Sequence, residues 1–286
     1  MAWVLAGGQS LLAQAPVSGG PQRNYGPLAS GAAVGGPAAA RTVIDAAPQP
    51  PRGFQLTPEQ QQWVDQVLGY WEHRSAQVTT FTCRFTRWEY NPAFVRDPNT
   101  AWTEAVGELK YAKPDKALYQ VNQIRYYQAP RAQGEQAMYV LREGELGEHW
   151  ICDGEATFEF NNREKTVYER PLPVHMRGEA IAEGPLPFLF GAEAAKLKQR
   201  YWIAPLTPPK DGNGNFVQDE YWLAVKPKTR QDASNFELVE LILDKKEFLP
   251  KAMQIYLPGG QERKVFHFAD RTVNPPFQFL QRDFSK

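Results

Sequence analysis

The side chains that could carry chemistry in this chain are its histidines, cysteines and acidic residues, and their spacing matches no reactive site. There are 4 histidines and 2 cysteines. No histidine has a second one four residues further along a helix, so the His-Glu-x-x-His pattern of zinc hydrolases is absent. His149 and Cys152 have metal-like spacing, but the one other cysteine cannot complete a cysteine-rich site. We therefore predict no metal site.

Motifs for nucleophilic catalysis and phosphate binding are also missing. The sequence has neither a Gly-x-Ser-x-Gly elbow nor a glycine-rich phosphate loop. Acidic pairs such as Glu143 and Glu145 lie in a segment of mixed charge, which is typical of a solvated loop. An enzyme whose carboxylates meet only in the folded protein is an alternative, because such a pair leaves no linear signal. The sequence itself predicts no catalytic residue, no cofactor and a protein that is not an enzyme.

Cys83 and Cys152 allow two interpretations. In an oxidising compartment they could form one disulfide. They could equally be two buried thiols that act as small hydrophobic side chains. A disulfide needs a short Cα separation, which the sequence does not give, so both alternatives stay open.

Charge and hydropathy exclude two classes of partner. The chain has 32 basic and 32 acidic residues, and they are interspersed without a basic stripe. This composition predicts no nucleic-acid binding. Beyond the first residues no apolar stretch approaches the ~20 residues that span a bilayer, so we predict no stable transmembrane segment.

The first 53 residues differ in composition from the rest. Residues 1–15 end in Ala13-Gln14-Ala15, a small-x-small cleavage pattern, although no Lys or Arg precedes Arg23. We interpret residues 1–15 as a truncated signal segment, with an alanine-rich tail as the alternative, and we expect a periplasmic or otherwise exported protein. Residues 16–53 are rich in Pro, Gly and Ala, which predicts a disordered linker. Residues 54–286 would form the folded domain.

Short segments of alternating apolar and polar residues dominate that domain. Residues 80–86 show the pattern, and it returns at 107–111, 156–160 and 235–243. A period of two predicts strands with one apolar face. Strands that follow one another in this way curl into a sheet with an apolar concave side. The predicted fold class is therefore mainly β, an incomplete antiparallel β-barrel covered by α-helices.

Helix signals and turn residues predict the element boundaries. Thr57 is a helix N-cap, with Pro58 in the first turn and Gln60 completing a capping box, and this helix should end near Ala76. Residues 192–199 have helix-forming composition. The predicted strands are 78–90, 104–112, 116–124, 137–142, 148–153, 155–160, 165–170, 200–204, 220–226, 235–243, 248–257 and 262–272.

An apolar segment between prolines interrupts the strands. Pro185 to Phe190 places four large apolar side chains in what should be a surface crossover. The segment is typical of an apolar flap rather than of a solvated loop. A flap over a long sheet that has little helix to fill it favours a cavity for an apolar ligand, with an ordinary packed core as the alternative.

The order of these segments resembles that of the outer-membrane lipoprotein carrier family (LolA) and of the wider LolA-like periplasmic lipid-binding superfamily, of which this chain would be a divergent member. Each matching segment is weakly specific by itself, but together they cover nearly all of residues 57–275 in the expected order. The segments are 78–85, 107–114, Cys152-Asp153-Gly154 with 158–161, 187–190 and the closing strands 235–272.

The resemblance implies an incomplete barrel that receives acyl chains of lipids or lipoproteins. Phe188, Leu189 and Phe190 would belong to a lid. The family commonly has a lid-latching Arg just before the Pro of the second-strand motif, and here Lys113 takes that position without the planar multi-donor group of Arg. The residues that would line the cavity are Phe81, Phe85, Leu109, Tyr111, Tyr119, Phe158 and Phe160.

The resulting hypothesis is a non-catalytic envelope protein that binds acyl chains of lipids or lipoproteins as a carrier or sensor. Envelope transport or sensor proteins would be its further partners. The alternative is a scaffold or stress-sensor module that binds a partner protein and carries no lipid. Its contact surface would be the edge strands and an insertion at about 123–147.

Overall fold

The computed structural model describes residues 49–131, 137–142, 147–172 and 193–275. The predicted signal segment 1–15, residues 16–48 of the predicted linker and the predicted lid residues 188–190 lie outside these ranges. The helices and strands given below all belong to one compact unit, Pro50–Lys286.

Nearly all of the regular structure is strand, and the described strands form one 12-stranded antiparallel sheet. Alternating apolar and polar residues produce most of these strands, because one face of the strand is buried; β4 and β7 contain no buried residue. The strands are β1 Thr80–Tyr90, β2 Thr103–Ala112, β3 Lys116–Gln128, β4 Met138–Leu141, β5 His149–Asp153, β6 Ala156–Asn161, β7 Thr166–Pro171, β8 Tyr201–Pro205, β9 Glu220–Pro227, β10 Leu238–Asp244, β11 Pro250–Tyr256 and β12 Arg263–Val273.

The sheet is built as two meanders that meet in its middle. The strand order is β7-β6-β5-β3-β2-β1-β12-β11-β10-β9-β8, and β4 pairs with β3 beside this path. The chain runs outward from β1 to the edge strand β7, crosses to the opposite edge at β8 and returns to β12. Since β12 pairs with β1, residues far apart in sequence become neighbours at the centre, for example Phe85 and Phe268.

Helix α1, Pro58–Ala76, covers the apolar face of the sheet. Its start follows the predicted capping box: Gln60 N donates to Thr57 Oγ1 over 3.3 Å, and Thr57 N donates to Gln60 Oε1 over 3.0 Å. The buried stripe of the helix includes Leu68 and Trp71, which lie in the same apolar cluster as the sheet residues. The helix packs on β8 and on the short helix α2, Ala194–Arg200; a further short helix α3 spans Arg230–Ala233.

The predicted fold class is confirmed: the protein is mainly β, with one open antiparallel sheet and a helical cover. Each predicted strand and both predicted helices occur, with ends shifted by a few residues. The largest difference is β3, which continues to Gln128 because its last residues pair with β4. Helix α3 was not predicted, since a single turn of helix has no apolar periodicity.

Candidate functional site

The concave face of the sheet holds a cavity of about 620 Å³. Apolar side chains from both meanders form most of its wall, and a polar group enters from one side. The apolar wall consists of Leu109, Tyr119, Trp150, Phe236, Val239, Met253, Ile255, Leu257, Phe266 and Phe268; the charged residues at the cavity are Arg87, Glu148, Glu159, Arg163 and Lys264.

The strand register explains why these side chains meet. Leu109 lies opposite Tyr119, and Tyr119 lies opposite Trp150. In the other meander Met253 lies opposite Phe266, which in turn lies opposite Arg87 on β1. Residues directly opposite each other share a face of the sheet, so these two rows line the same concave side.

An aromatic column, of which Tyr119 and Trp150 line the cavity and Phe85 lies behind them, supports the wall on the β1–β5 side. The rings of Phe85 and Tyr119 are stacked at 4.9 Å between centroids, and those of Tyr119 and Trp150 at 5.4 Å. Phe85 has room to stack because its neighbour on β2 is Gly107, where a Cβ would lie 2.4 Å from the ring. Stacked aromatic rings give this wall a flat and rigid apolar surface.

Arg87 is the one cation that is buried among these apolar residues in the described part of the chain; 4% of its surface is exposed. Its Nη1 donates to Tyr119 Oη over 2.8 Å and also to Glu148 Oε2. Its Nη2 lies 3.2 Å from Glu89 Oε1, and the same carboxylate oxygen lies 3.1 Å from Lys264 Nζ. Among the described residues Arg87 Nε has no hydrogen-bond partner.

These partners keep the guanidinium charged. Burial lowers the pKa of Arg87, but the Tyr119 hydroxyl and the carboxylates of Glu148 and Glu89 raise it by more, so the pKa lies above its usual value. Burial also raises the pKa of Tyr119, which keeps that hydroxyl protonated at physiological pH. The cavity therefore contains a permanent cation beside a neutral hydroxyl.

Glu148 differs from the other members of this group because its side chain is 51% exposed. It precedes β5, and its carbonyl accepts a hydrogen bond from Val121 N over 2.8 Å. Gly147 permits this close approach, since a Cβ there would lie 2.3 Å from Val121 Cβ. The backbone at Glu148 is thus fixed, while its carboxylate reaches Arg87 from the solvent side.

The predicted cavity residues have three different positions. Leu109, Tyr119 and Phe160 line the cavity, whereas Phe81, Phe85 and Tyr111 lie in the main buried cluster without lining it. Phe158 lies on the opposite face of the sheet. It is paired with Ile151, which is paired with Leu118, and these two belong to a separate small cluster.

The position of Phe158 follows from the register between β5 and β6. Because Trp150 faces the cavity, its neighbour Ile151 must face away, and so must the residue opposite Ile151. Phe160 is on the same face as Phe158, where its ring stacks on His149 at 4.3 Å, and it reaches the cavity only at the rim. The alternation of apolar and polar residues does not determine this register, so the prediction that Phe158 lines the cavity was wrong.

Cys83 and Cys152 are both buried and both free, which excludes the disulfide interpretation. Cys83 is on β1 and Cys152 is on β5, and β2 and β3 lie between these strands. Three strand spacings of about 4.8 Å separate the two cysteines by much more than a disulfide spans. Burial raises the pKa of the Cys83 thiol to about 12 and also raises the pKa of Cys152.

Lys113, the predicted lid latch, contacts helix α1. Its Nζ donates to the carbonyl oxygen of Ala76 over 2.7 Å, at the last residue of the helix. A cation at a helix C-terminus is favoured by the helix dipole and by the carbonyls left unpaired there. A contact with residues 188–190 lies outside the described residues, so the latch stays a prediction.

The sequence analysis named none of the charged residues of the site, such as Arg87, Glu148 and Lys264, and none of the cavity residues after position 190. A signal for Arg87 was present: it continues the odd-numbered positions Phe81, Cys83 and Phe85 of β1, so period two already placed a charge on the apolar face. Lys264 and Glu148 had no such signal, because the contact of Lys264 with Glu89 depends on the pairing of β12 with β1, and that of Glu148 with Arg87 on the turn before β5.

Metal ligands and membrane-spanning helices can be assessed for the described residues only. These residues contain no group of three or more His, Cys, Asp or Glu side chains placed to hold a metal ion. Their helices include none that combines the length and the apolar character needed to cross a membrane.

No protein-family model matches this chain, and no curated protein matches it. Several solved structures are similar to it. An uncharacterized conserved protein from Thermus thermophilus has a TM-score of 0.41 and 9% identity, over 76% of this chain and 92% of that one. A LolA superfamily protein from Nitrosomonas europaea has a TM-score of 0.34 and 11% identity, over 77% and 97%. A chain of the Pseudomonas aeruginosa MucA/MucB complex has a TM-score of 0.34 and 13% identity, over 76% and 60%.

A LolA superfamily protein is thus among the structures that this chain is similar to. With TM-scores of 0.41 or less, the similarity carries no conclusion about function. Any functional conclusion must therefore rest on the cavity and on the charged residues around Arg87.

Proposed function

We propose that this protein binds an acyl chain of a lipid or lipoprotein in the cavity, without catalysis, as a carrier or sensor in the cell envelope. The observation that carries this proposal is the cavity of about 620 Å³ with its apolar wall on the concave side of the sheet. Pockets for small ligands span roughly 300–1,000 Å³ and are mostly apolar. A single flexible hydrocarbon chain fits such a wall better than a polar metabolite does.

The apolar wall can supply the necessary affinity by itself. Burial of a methylene group is worth ~0.8 kcal/mol, so a chain of about 16 carbons would contribute on the order of 10 kcal/mol before the costs of ordering it. A carrier must also release its cargo, which requires a movable cover that offsets part of this energy. Phe188, Leu189 and Phe190 remain our candidates for that cover, and Lys113 remains the candidate latch.

Uptake of a fluorescent fatty-acid analogue by the delipidated full-length chain tests the proposal. Ile255 lines the cavity and is 8% exposed. The substitution Ile255→Trp fills the cavity without burying a charge, so it should lower uptake at least several-fold. Val167→Trp makes a similar change on an exposed strand outside the cavity and should leave uptake unchanged. Equal uptake by wild type and Ile255→Trp would contradict the proposal.

Binding of a partner protein is a second candidate function, favoured by β7. Among the described strands β7 pairs on one side only, and all of its residues are exposed, including Val167 and Tyr168. An exposed edge strand can pair with an extended segment of another chain. A photo-reactive residue at position 168 should then crosslink a partner in cells, whereas one at Tyr70, exposed on α1, should not.

A further inference from the structure

We infer that the cavity selects an amphiphile with an anionic head, a carboxylate or a phosphate, which takes the place of Glu148 on Arg87. This inference rests on the proposed function, because it concerns the head of the same ligand. Its basis is the charge arrangement at the polar side of the cavity.

The positive charges around Arg87 exceed the negative ones unless a further acidic group is present, and that group need not be a buried part of the cavity wall. Arg87 and Lys264 both line the cavity, and Glu89, which does not line it, lies 3.2 Å from the first and 3.1 Å from the second. Among the described residues, Arg87, Lys264 and Glu89 together leave one positive charge, and Glu148 compensates it.

Glu148 is suited to be displaced. Arg87 is 5% exposed at its side chain, whereas Glu148 is 51% exposed, so the glutamate can turn into water while the buried guanidinium stays in place and pairs with the incoming anion. The released carboxylate regains its hydration, and the incoming anion must replace it on Arg87, because a buried cation left without its partner is costly.

The anionic head of a ligand would gain more at the same position than Glu148 does. It would come to Arg87 from the apolar cavity, with its chain lying against Trp150 and Met253, and it would find the Tyr119 hydroxyl 2.8 Å from Arg87 Nη1. Charge-assisted hydrogen bonds are stronger where water is excluded. A head without charge, such as an alcohol or an ester, would leave the Arg87–Glu148 pair in place and gain nothing from it.

The second carboxylate at the cavity provides a matched control. Glu159 also lines the cavity, but its oxygen lies 3.0 Å from Arg170 Nη2 and has no contact with Arg87. Arg163 lies at the rim and would attract any anion from a distance, whichever carboxylate is replaced. Replacing Glu159 therefore changes the net charge of the cavity equally without freeing Arg87.

The experiment compares ligands of one chain length on the full-length chain: palmitate, hexadecyl phosphate and hexadecanol, at submicellar concentration. We expect Glu148→Gln to bind palmitate or hexadecyl phosphate about tenfold more tightly than wild type, with hexadecanol affinity unchanged. Glu159→Gln should leave the ratio of acid to alcohol affinity within about twofold of wild type. Arg87→Met should bring the acids to the affinity of the alcohol.

The outcomes separate the two proposals. The anionic head would be overturned if hexadecanol bound as tightly as both acids and Glu148→Gln did not change the ratio of acid to alcohol affinity. Acyl-chain binding would remain intact. A cavity that binds none of the three ligands would overturn acyl-chain binding, and the inference with it. A gain for hexadecyl phosphate alone would support the inference and assign the head as a phosphate. If Arg87→Met does not fold, the comparison of Glu148→Gln with its control Glu159→Gln still decides whether the anionic head binds Arg87.

Discussion

The ring of Phe85 occupies the space in which Gly107 would carry a side chain. A Cβ at position 107 would lie 2.4 Å from Phe85 Cζ and 2.2 Å from the backbone oxygen of Gln120. This contact lets Phe85 lie flat against Tyr119 and continue the aromatic column that ends at Trp150. A glycine on β2 thus sets the shape of the cavity wall two strands away.

Gly107→Ala should destabilise the protein for this reason. The methyl group overpacks the wall, and overpacking typically costs about 1–3 kcal/mol. Urea unfolding followed by fluorescence measures the change. Gly69→Ala is the control, since nothing lies within 4 Å of that position in α1. It should stabilise the helix by about 0.5–1 kcal/mol. A Gly107→Ala variant as stable as the wild type would refute the close contact.

Tyr119→Phe should destabilise the protein through Arg87. The substitution removes the hydroxyl that accepts a hydrogen bond from Arg87 Nη1 over 2.8 Å. A hydrogen bond to a buried charged group contributes about 1.5–3 kcal/mol. Tyr70→Phe changes an exposed tyrosine of α1 in the same way and should stay within about 0.5 kcal/mol of wild type. Equal effects of the two substitutions in thermal or urea unfolding would argue against the Arg87–Tyr119 bond.

Both cysteines should behave as protected thiols. Cys83 is 4% exposed and Cys152 is 1% exposed, and burial raises the pKa of both, to about 12 for Cys83. Because the thiolate is the reactive form, iodoacetamide should label neither residue in the folded protein at about pH 8. Both should be labelled in urea without a reductant. A protein that is labelled in urea only after reduction would show that the disulfide exists after all.

Two histidines should make stability depend on pH. Burial lowers the pKa of His149, and burial together with Lys251 and Arg271 lowers that of His267. The folded state therefore binds these protons less readily than the unfolded state, whose histidines titrate near 6.5. As the pH falls below about 6.5, protons bind first to the unfolded chain, and the free energy of unfolding decreases.

The variant with His149→Gln and His267→Gln isolates this effect. The unfolding free energies of wild type and variant should differ by a constant amount above about pH 7.5, and wild type should lose stability relative to the variant between about pH 7 and 5.5. Parallel curves over that range would contradict the lowered pKa values. Comparing the two proteins removes the contributions of the carboxylates, which they share.

Local signals were sufficient to predict every element except α3. Thr57, Pro58 and Gln60 gave the start of α1, and period two together with turn residues gave the strands. The meeting of β1 with β12 did not follow from those signals, because pairing between distant strands depends on the closing of the whole sheet. This pairing places Phe266 opposite Arg87 and Lys264 beside Glu89.

The site was therefore only partly predictable. Alternation shows that Phe158 and Phe160 share a face, but it does not show which face is concave, and the register at Ile151 decides this. Phe158 was wrongly predicted to line the cavity, whereas Arg87, which does line it, was not predicted. Its position in the apolar period of β1 was visible, but charged residues are seldom buried without partners, and the partners Glu89 and Glu148 became evident only in the folded chain.

Native mass spectrometry of the full-length chain, isolated from its own cells without detergent, tests acyl-chain binding most directly. We predict a bound molecule that carries an acyl chain, released by organic solvent, and lost from the Ile255→Trp variant while Val167→Trp retains it. A protein that is isolated empty, and that takes up no added acyl ligand after purification, would contradict the proposed function.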